Sequence, residues 1–393
     1  MTRFFLNELG IVCALGADKT RVYAAMMAGD QAGMTMTDAF SPSAPCVVGA
    51  VDATLAPLPD RVAYLDCRNN RLLRAAADQI LGAVQRAVER VGAERVGVVI
   101  GTSTSGIAEG ERAIAHWRRD GRVHATYDYR HQRLSSGSDF LVRYLDIDGP
   151  ALTISTACSS SAHAFGAARR LIRNDLCDAV VVGGADTVSA LTVRGFQSLD
   201  AVSPGISNPM SAHRDGINIG EGACVMLLTR DESDVELLGV GASSDAHHIS
   251  APDPTGRGAL RAMRGALADA GLAPAAIDYI NLHGTGTPLN DAMESRAIAE
   301  LFGTGTACSS TKPLTGHALG AAGAIELGLC WLTLNANHSV CPPHVWDGAR
   351  DPELPDLALV ARGDGGGRRP SRCLSNSFAF GGNNATLIIG RVA

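Results

Sequence analysis

One pattern recurs in order along this chain and constrains its fold more than any other: an alanine-rich helix, a short apolar strand, then a turn of Gly, Ser and Thr. Gly101-Thr102-Ser103-Thr104 closes the run Gly97-Val98-Val99-Ile100, and Gly284-Thr285-Gly286-Thr287 closes Tyr279-Ile280-Asn281-Leu282. Farther on, Ala162-His163-Ala164-Phe165-Gly166-Ala167-Ala168 is echoed by Gly316-His317-Ala318-Leu319-Gly320-Ala321-Ala322. Chance is the alternative in a chain so rich in Ala and Gly. Echoes that keep their order and their strand-helix context predict two duplicated α/β halves, 1–235 and 236–393, with a seam near Asp231 to Glu236. The first half carries extra residues within the arginine-rich, weakly periodic stretch Glu109 to Pro150.

Other segments agree with layered α/β architecture. Leu72, Ala76, Ile80, Val84, Val88 and Val91 fall on one face of a single long helix. Asp178 to Gly184, Ala223 to Leu228 and Ala151 to Ile154 read as strands. At 393 residues the chain exceeds what one hydrophobic core usually supports. With 46% apolar and 19% charged residues it is not disordered. A net charge of −6 gives no reason to expect a nucleic-acid surface. Ala318 to Leu334 is the longest apolar stretch, but Glu326 near its middle makes it a buried helix and not a membrane span. Gly363 to Pro370 reads as a surface loop. The ten cysteines are dispersed with no C-x-x-C pair, which predicts reduced, buried thiols and a cytoplasmic protein. The N-terminus reaches a charge too soon for a secretion signal.

Four segments carry chemistry. In Ser155-Thr156-Ala157-Cys158-Ser159-Ser160-Ser161, the strand Ala151 to Ile154 runs into small residues and then into a helix with Phe165, Leu171 and Ile172. Cys158 then sits near a helix N-terminus, where positive partial charge favours the nucleophilic thiolate; a buried structural cysteine is the alternative. His283 ends a strand and stands before glycines and threonines, either exposed for catalysis or capping the strand. Only two of the 34 basic residues are lysines, and one of them, Lys312, opens Lys312-Pro313-Leu314-Thr315-Gly316-His317. A lysine kept where arginine is the default suggests a compact ammonium with a particular task; the bland reading is a surface lysine before a turn. Ser375-Asn376-Ser377-Phe378-Ala379-Phe380-Gly381-Gly382-Asn383-Asn384 places two aromatics in a loop, either mobile over a pocket or simply tight.

Together these resemble, over essentially the whole chain, the elongating β-ketoacyl-acyl-carrier-protein synthases of the thiolase superfamily. The matching motifs are T-A-C-S-S-S at Thr156 to Ser161, H-G-T-G-T at His283 to Thr287, T-K-x-x-x-G-H at Thr311 to His317, S-N-S-F-x-F-G-G-x-N at Ser375 to Asn384, and H-R-D-G at His213 to Gly216. The resemblance implies a thiolase-like fold, two duplicated halves packed as a five-layered αβαβα core. It implies a decarboxylative Claisen condensation in which Cys158 carries the acyl chain, His283 and His317 act on malonyl-carrier protein, and Lys312 positions the site. The resemblance also implies that the oxyanion is held by backbone N–H groups of Cys158 and Phe380.

By the same resemblance Phe380 is a gate with Phe378 beside it, Thr285 and Thr287 bind pantetheine, and Phe196 walls the acyl pocket. Arg68 and Arg71, on an exposed helix start, dock acyl carrier protein; a solvated helix face is the alternative. Glu294, Glu326, Ser375, Asn376 and the backbone of Asn281 match a buried monovalent-cation or ion-pair site, with Glu326 pairing with Lys312 as the other option. No metal or redox cofactor is required. A homodimer is expected, or a heterodimer with a chain-length partner, serving fatty-acid or aryl-polyene/type II polyketide elongation. Ala379 departs from the glycine usual before the gate phenylalanine, and the motifs lean toward polyketide-like members. The rivals are a thiolase, which needs a second cysteine in the final loop, a non-catalytic chain-length partner, which usually lacks the nucleophile, and a cysteine hydrolase.

Overall fold

The computed structural model describes residues 2–336, 340–363 and 369–392. Its strands are β1 Phe5–Cys13, β2 Met34–Thr37, β3 Cys46–Gly49, β4 Val96–Gly101, β5 Ala151–Ile154, β6 Ala179–Asp186, β7 Ile219–Gly220, β8 Gly222–Thr229, β9 Val235–Ser244, β10 Tyr279–Asn281, β11 Ala307–Ser309, β12 Arg372–Ala379 and β13 Asn383–Arg391. Ten of them form one sheet in the order β11-β10-β12-β13-β9-β1-β8-β6-β4-β5. Only the pair Phe5 and Glu236 joins β1 to β9 in register, so the sheet divides into two five-stranded parts. In one part β5, β4 and β6 are parallel while β8 and β1 follow antiparallel. In the other, β11, β10 and β12 are parallel while β13 and β9 follow antiparallel. The chain visits equivalent positions in the same order in both parts.

Alternation along each strand decides which layer a side chain enters. Val98, Ile100 and Val181 point outward onto Leu72, Leu73 and Ala76 of helix Arg68–Asp78. Val99, Val180 and Val182 point inward to Phe165 of helix Ser160–Arg173 and Leu327 of helix Ala322–Asn335. In the second part Ile280, Leu374 and Ile388 pack outward on Leu260, Met263 and Leu267 of helix Arg257–Ala270. Leu387 and Ile389 turn into the central layer. Helix, sheet, helix, sheet and helix thus stack as five layers. The central helix Ala322–Asn335 is covered on all sides, which is why it is apolar all round. Among the described residues no helix is long and apolar enough to cross a membrane.

Two expectations are corrected. The single long helix of the first half breaks into Arg68–Asp78 and Leu81–Val91. Between them Gln79 turns its amide onto the carbonyls of Ile11 and Ala17 at 3.0 and 3.1 Å, tying the break to the end of β1. A Cβ at Gly10 of β1 would lie 1.9 Å from the Ala76 carbonyl oxygen, so this crossing demands glycine. The stretch Glu109 to Pro150 is more regular than its weak periodicity suggested, with helices Ile107–Asp120 and Ser136–Tyr144. Most of the predicted loop Gly363 to Pro370 lies outside the described residues.

Candidate active site

β5 delivers the nucleophile. Its last residue leads into Ser155-Thr156-Ala157, and Ala157 adopts φ 52°, an uncommon left-handed conformation for a residue with a Cβ. Two serines enforce that turn. The Ser160 hydroxyl accepts from the Thr156 N–H at 2.9 Å and donates to the Ala157 carbonyl, while the Ser159 hydroxyl donates to the Thr156 carbonyl at 2.8 Å. Cys158 therefore projects from a braced bend two residues before helix Ser160–Arg173 begins. A Cβ at Gly101 would fall 2.3 Å from the Ser161 N, so the small residue at the end of β4 admits the bend.

The second half supplies the imidazoles. Nε2 of His317 lies 2.9 Å from Sγ of Cys158, and the rings of His317 and His283 meet edge to face with centroids 5.5 Å apart. His317 is held by its backbone: its N–H donates to the Asn218 carbonyl and its carbonyl accepts from Gly220 N–H. His283 sits just beyond β10, where Glu294 takes the N–H groups of His283 and Gly284 at 2.8 and 2.7 Å. Lys312 is 2% exposed and ion-paired to the equally buried Glu326 at 2.5 Å. Its ammonium also donates to the His283 carbonyl and stands 3.5 Å from His283 Nδ1. The surface reading of Lys312 fails; it is the other lysine, Lys19, that lies partly exposed beside Glu8.

Electrostatics follow from burial. Desolvation, then the Lys312 ammonium, hold His283 well below the usual imidazole range, and the same two causes act on His317. Both rings are neutral near pH 7. With Lys312 facing Nδ1, the His283 ring keeps its proton on Nε2. Burial pushes the Cys158 thiol up to about 12 against the pull of Lys312. Burial beneath the second half thus opposes the thiolate that a helix N-terminus favours, and the sulfur faces His317 Nε2.

Cys158, His283 and His317 open onto a cavity of about 280 Å³ that also receives Phe196, Thr285, Thr287, Phe378 and Phe380. The hydroxyls of Thr285 and Thr287 are 3.0 Å apart. Phe378 is not in a loop: it lies on β12 and meets the His283 ring at 6.1 Å. Phe380 lies on the turn that follows, 37% exposed and tilted against Phe196 at 5.4 Å. Ala379 before it has φ −106° and ψ 157°, extended backbone in which a methyl group costs nothing.

Arg68 and Arg71 are not free on an exposed helix start. Arg68 is half-buried against Glu221, donating through Nε at 2.8 Å and through Nη2, and Arg71 grips Asp66 with two bonds of 2.6 Å. Four of the five residues matched to a cation site lie together: Asn281 pairs with Ser375 across β10 and β12, and Asn376 Nδ2 stands 3.3 Å from Glu294. Glu326 is spent on Lys312, and the Glu294 carboxylate, raised to about 7 by burial, is taken by two backbone N–H groups and by Asn376 Nδ2 at 3.3 Å. Asn281 hydrogen-bonds Tyr279 and Thr311 through its amide, and Ser375 is buried in β12. Asn281 Oδ1 and Glu326 Oε2 are buried without a hydrogen-bond partner among the described residues.

Asp215 and Asn384, which fall within the H-R-D-G and S-N-S-F-x-F-G-G-x-N motifs, line the cavity, whereas sequence reasoning missed Asp245 at its wall and Asp186 behind it. A signal for Asp186 existed, since it is the one charged residue closing a fully buried strand.

Comparison with known proteins agrees with this geometry. The profile described as "Beta-ketoacyl synthase, N-terminal domain" matches residues 47–234, and "Beta-ketoacyl synthase, C-terminal domain" matches 235–345. A 3-oxoacyl-[acyl-carrier-protein] synthase 2 from Coxiella burnetii is 32% identical over 99% of both chains. A ketosynthase (ApeO) from Xenorhabdus doucetiae, solved in complex with its chain length factor (ApeC), is 46% identical with a TM-score of 0.94, covering 100% of this chain and 98% of that one. A β-ketoacyl synthase from Burkholderia phymatum superposes over 100% of both chains at 27% identity and a TM-score of 0.87.

Proposed function

The chain belongs to the β-ketoacyl synthase family, and from that premise we propose that Cys158 carries the growing acyl chain while His283 and His317 direct a decarboxylative condensation with malonyl-acyl carrier protein. The observation that carries the reading is the 2.9 Å contact between Cys158 Sγ and His317 Nε2 on a cavity shared with His283. In the first half-reaction the sulfur attacks the thioester of acyl-carrier protein. Its proton passes to Nε2 of His317 and leaves on the pantetheine thiol. The tetrahedral oxyanion sits between the N–H groups of Cys158 and Phe380; such a donor is typically worth about 3 kcal/mol. Thr285 and Thr287 bind the pantetheine arm, and Phe196 walls the acyl chain.

In the second half-reaction malonyl-carrier protein enters and its C–C bond to carboxylate breaks, releasing CO₂. His283 donates through Nε2–H to the thioester oxygen where enolate charge gathers, and His317 stands beside it with its ring edge to face against that of His283. Neutral rings suit this role, since they donate without the cost of burying a second cation beside Lys312. The enolate carbon attacks the acyl carbonyl, the bond to Sγ breaks, and the departing Cys158 thiolate takes up one proton from solvent. Loss of CO₂ drives the step without a metal or redox group.

The rivals fit less well. Among the described residues Cys158 is the only cysteine lining the cavity, whereas a thiolase needs a second. A non-catalytic partner does not need a sulfur and two imidazoles in register. A chain-length partner is a natural companion, since the 46% identical ketosynthase was solved with one. Its seat is β5, an unpaired sheet edge where Leu152 is 40% exposed. The equivalent edge β11 is covered by its own chain, through Cys308 N–H to Ala358 and Val360 N–H to Cys308. We place the protein in the cytoplasm, in polyketide-like elongation; its ten cysteines are all unpaired.

The test supplies acyl-carrier protein and malonyl-carrier protein together. A β-ketoacyl product two carbons longer, formed with one CO₂ per turnover, is the expected result. No product with any donor length refutes the reading.

A further inference from the structure

Asp186 closes β6 with no exposed surface, and its carboxylate collects donors from both halves of the molecule. From the first half come Thr102 Oγ1 at 2.6 Å, Ser103 N–H at 2.9 Å, and Thr104 through its N–H and its hydroxyl at 2.8 Å each. From the second half Gly320 N–H donates at 2.6 Å, three residues after His317. The gripped loop then reaches the nucleophile, since the Ser103 hydroxyl donates to the carbonyl of Ala157 at 3.2 Å. Gly320 has no room for a side chain: a Cβ there would lie 2.7 Å from Asp186 Oδ2 and from Ser103 N. One carboxylate thus ties the turn bearing Cys158 to the turn bearing His317. In the second half Glu294 grips the loop after β10 in the same way, but both N–H groups it takes come from its own half.

We propose that Asp186 is a positioning residue that sets the approach of Cys158 to His317, and so governs acyl transfer onto the sulfur more than decarboxylation of malonyl-carrier protein. The asymmetry arises because the histidines have anchors that fix their place, whereas the Ser159 and Ser160 hydroxyls that brace the Cys158 bend bond only within it. His317 hangs from Asn218 and Gly220, and His283 from Glu294 and Lys312; none of these contacts passes through Asp186. Loosening the carboxylate releases the nucleophile's turn while leaving the imidazole pair assembled.

The inference rests on the condensing activity proposed above, and its test separates the two. Asp186→Asn keeps the side chain's size but turns an NH₂ group toward donors that already point inward. Two rates are measured per folded molecule: single-turnover acylation of Cys158 by intact mass, and CO₂ release from malonyl-carrier protein alone. Acylation should fall on the order of 100-fold, as expected when reacting atoms are misplaced by about 1 Å, while CO₂ release changes less than about threefold. Thr102→Val removes a single bond to the same carboxylate and should shift the ratio in the same direction by a smaller factor; it decides the matter if Asp186→Asn does not fold. Equal rates in the variants and wild type, or a parallel fall in both activities, overturn the positioning role. Wild-type protein with neither activity overturns the condensing reading itself.

Discussion

Nε2 of His317 meets Sγ of Cys158 at 2.9 Å although the two residues are 159 positions apart and come from opposite halves of the molecule. The meeting is a consequence of topology. Cys158 follows β5 and His317 follows β11, strands that end their respective sheet parts at matching edges. The helices that come after them, Ser160–Arg173 and Ala322–Asn335, share the central layer. Each half brings its turn to the same end of that layer, and the site exists only where both are present.

If the sulfur serves acyl transfer and the imidazoles serve decarboxylation, the two functions separate by mutation. Cys158→Gln should reduce elongation by more than about 10³-fold, as loss of a nucleophile does, while CO₂ release from malonyl-carrier protein stays equal or rises. Radiolabelled malonyl-carrier protein with product chromatography reads both. Unchanged elongation would remove Cys158 from its role.

The buried neutral histidines also predict how stability responds to acid. His283 and His317 are held well below 6.5, chiefly by burial, so below that pH the unfolded chain binds protons that the folded chain refuses. Their contribution is complete above 6.5 and is lost as pH falls, at up to about 1.4 kcal/mol per pH unit for each histidine. Buried carboxylates such as Glu294 act in the opposite direction, so the comparison must cancel them. Between pH 6.5 and 5, wild type should lose stability relative to the double variant His283→Asn/His317→Asn in urea unfolding.

Lys312 and Glu326 are each 2% exposed, and among the described residues this is the one salt bridge either of them makes. Lys312→Met leaves a buried carboxylate unpaired and should cost about 3–5 kcal/mol. Adding Glu326→Met should recover most of that loss without restoring condensation, because His283 would still lack the ammonium at its Nδ1 and carbonyl. Denaturant unfolding and turnover measured on the same samples check both halves of the prediction.

Sequence and structure agreed where the physics was local. Buried parallel strands such as β6 read as unbroken apolar runs, and β5 appeared with its observed bounds. Cys158, His283, Lys312 and His317 stood out because small residues and a rare lysine surround them. What stayed hidden depends on distant partners. Gln79 interrupts a sound helical period only because β1 offers carbonyls to its amide. Arg68 looked free until Glu221, far along the chain, took it. The burial that pushes the Cys158 thiol up comes from a roof that the other half supplies, which no local motif records.

The open edge at β5 makes a claim about assembly. Leu152→Glu should place a charge in the pairing seam and convert a dimer, with itself or with a chain-length partner, to monomer by native mass spectrometry. An assembly that survives the change would put the interface elsewhere.

The most direct measurement is intact-mass analysis of the enzyme after exposure to acyl-carrier proteins of varied chain length. The account predicts one acyl group per chain, mapped by peptide digestion to Cys158 and discharged when malonyl-carrier protein is added. An enzyme that shows no adduct with any donor, or an adduct on another residue that malonyl-carrier protein discharges, would contradict it.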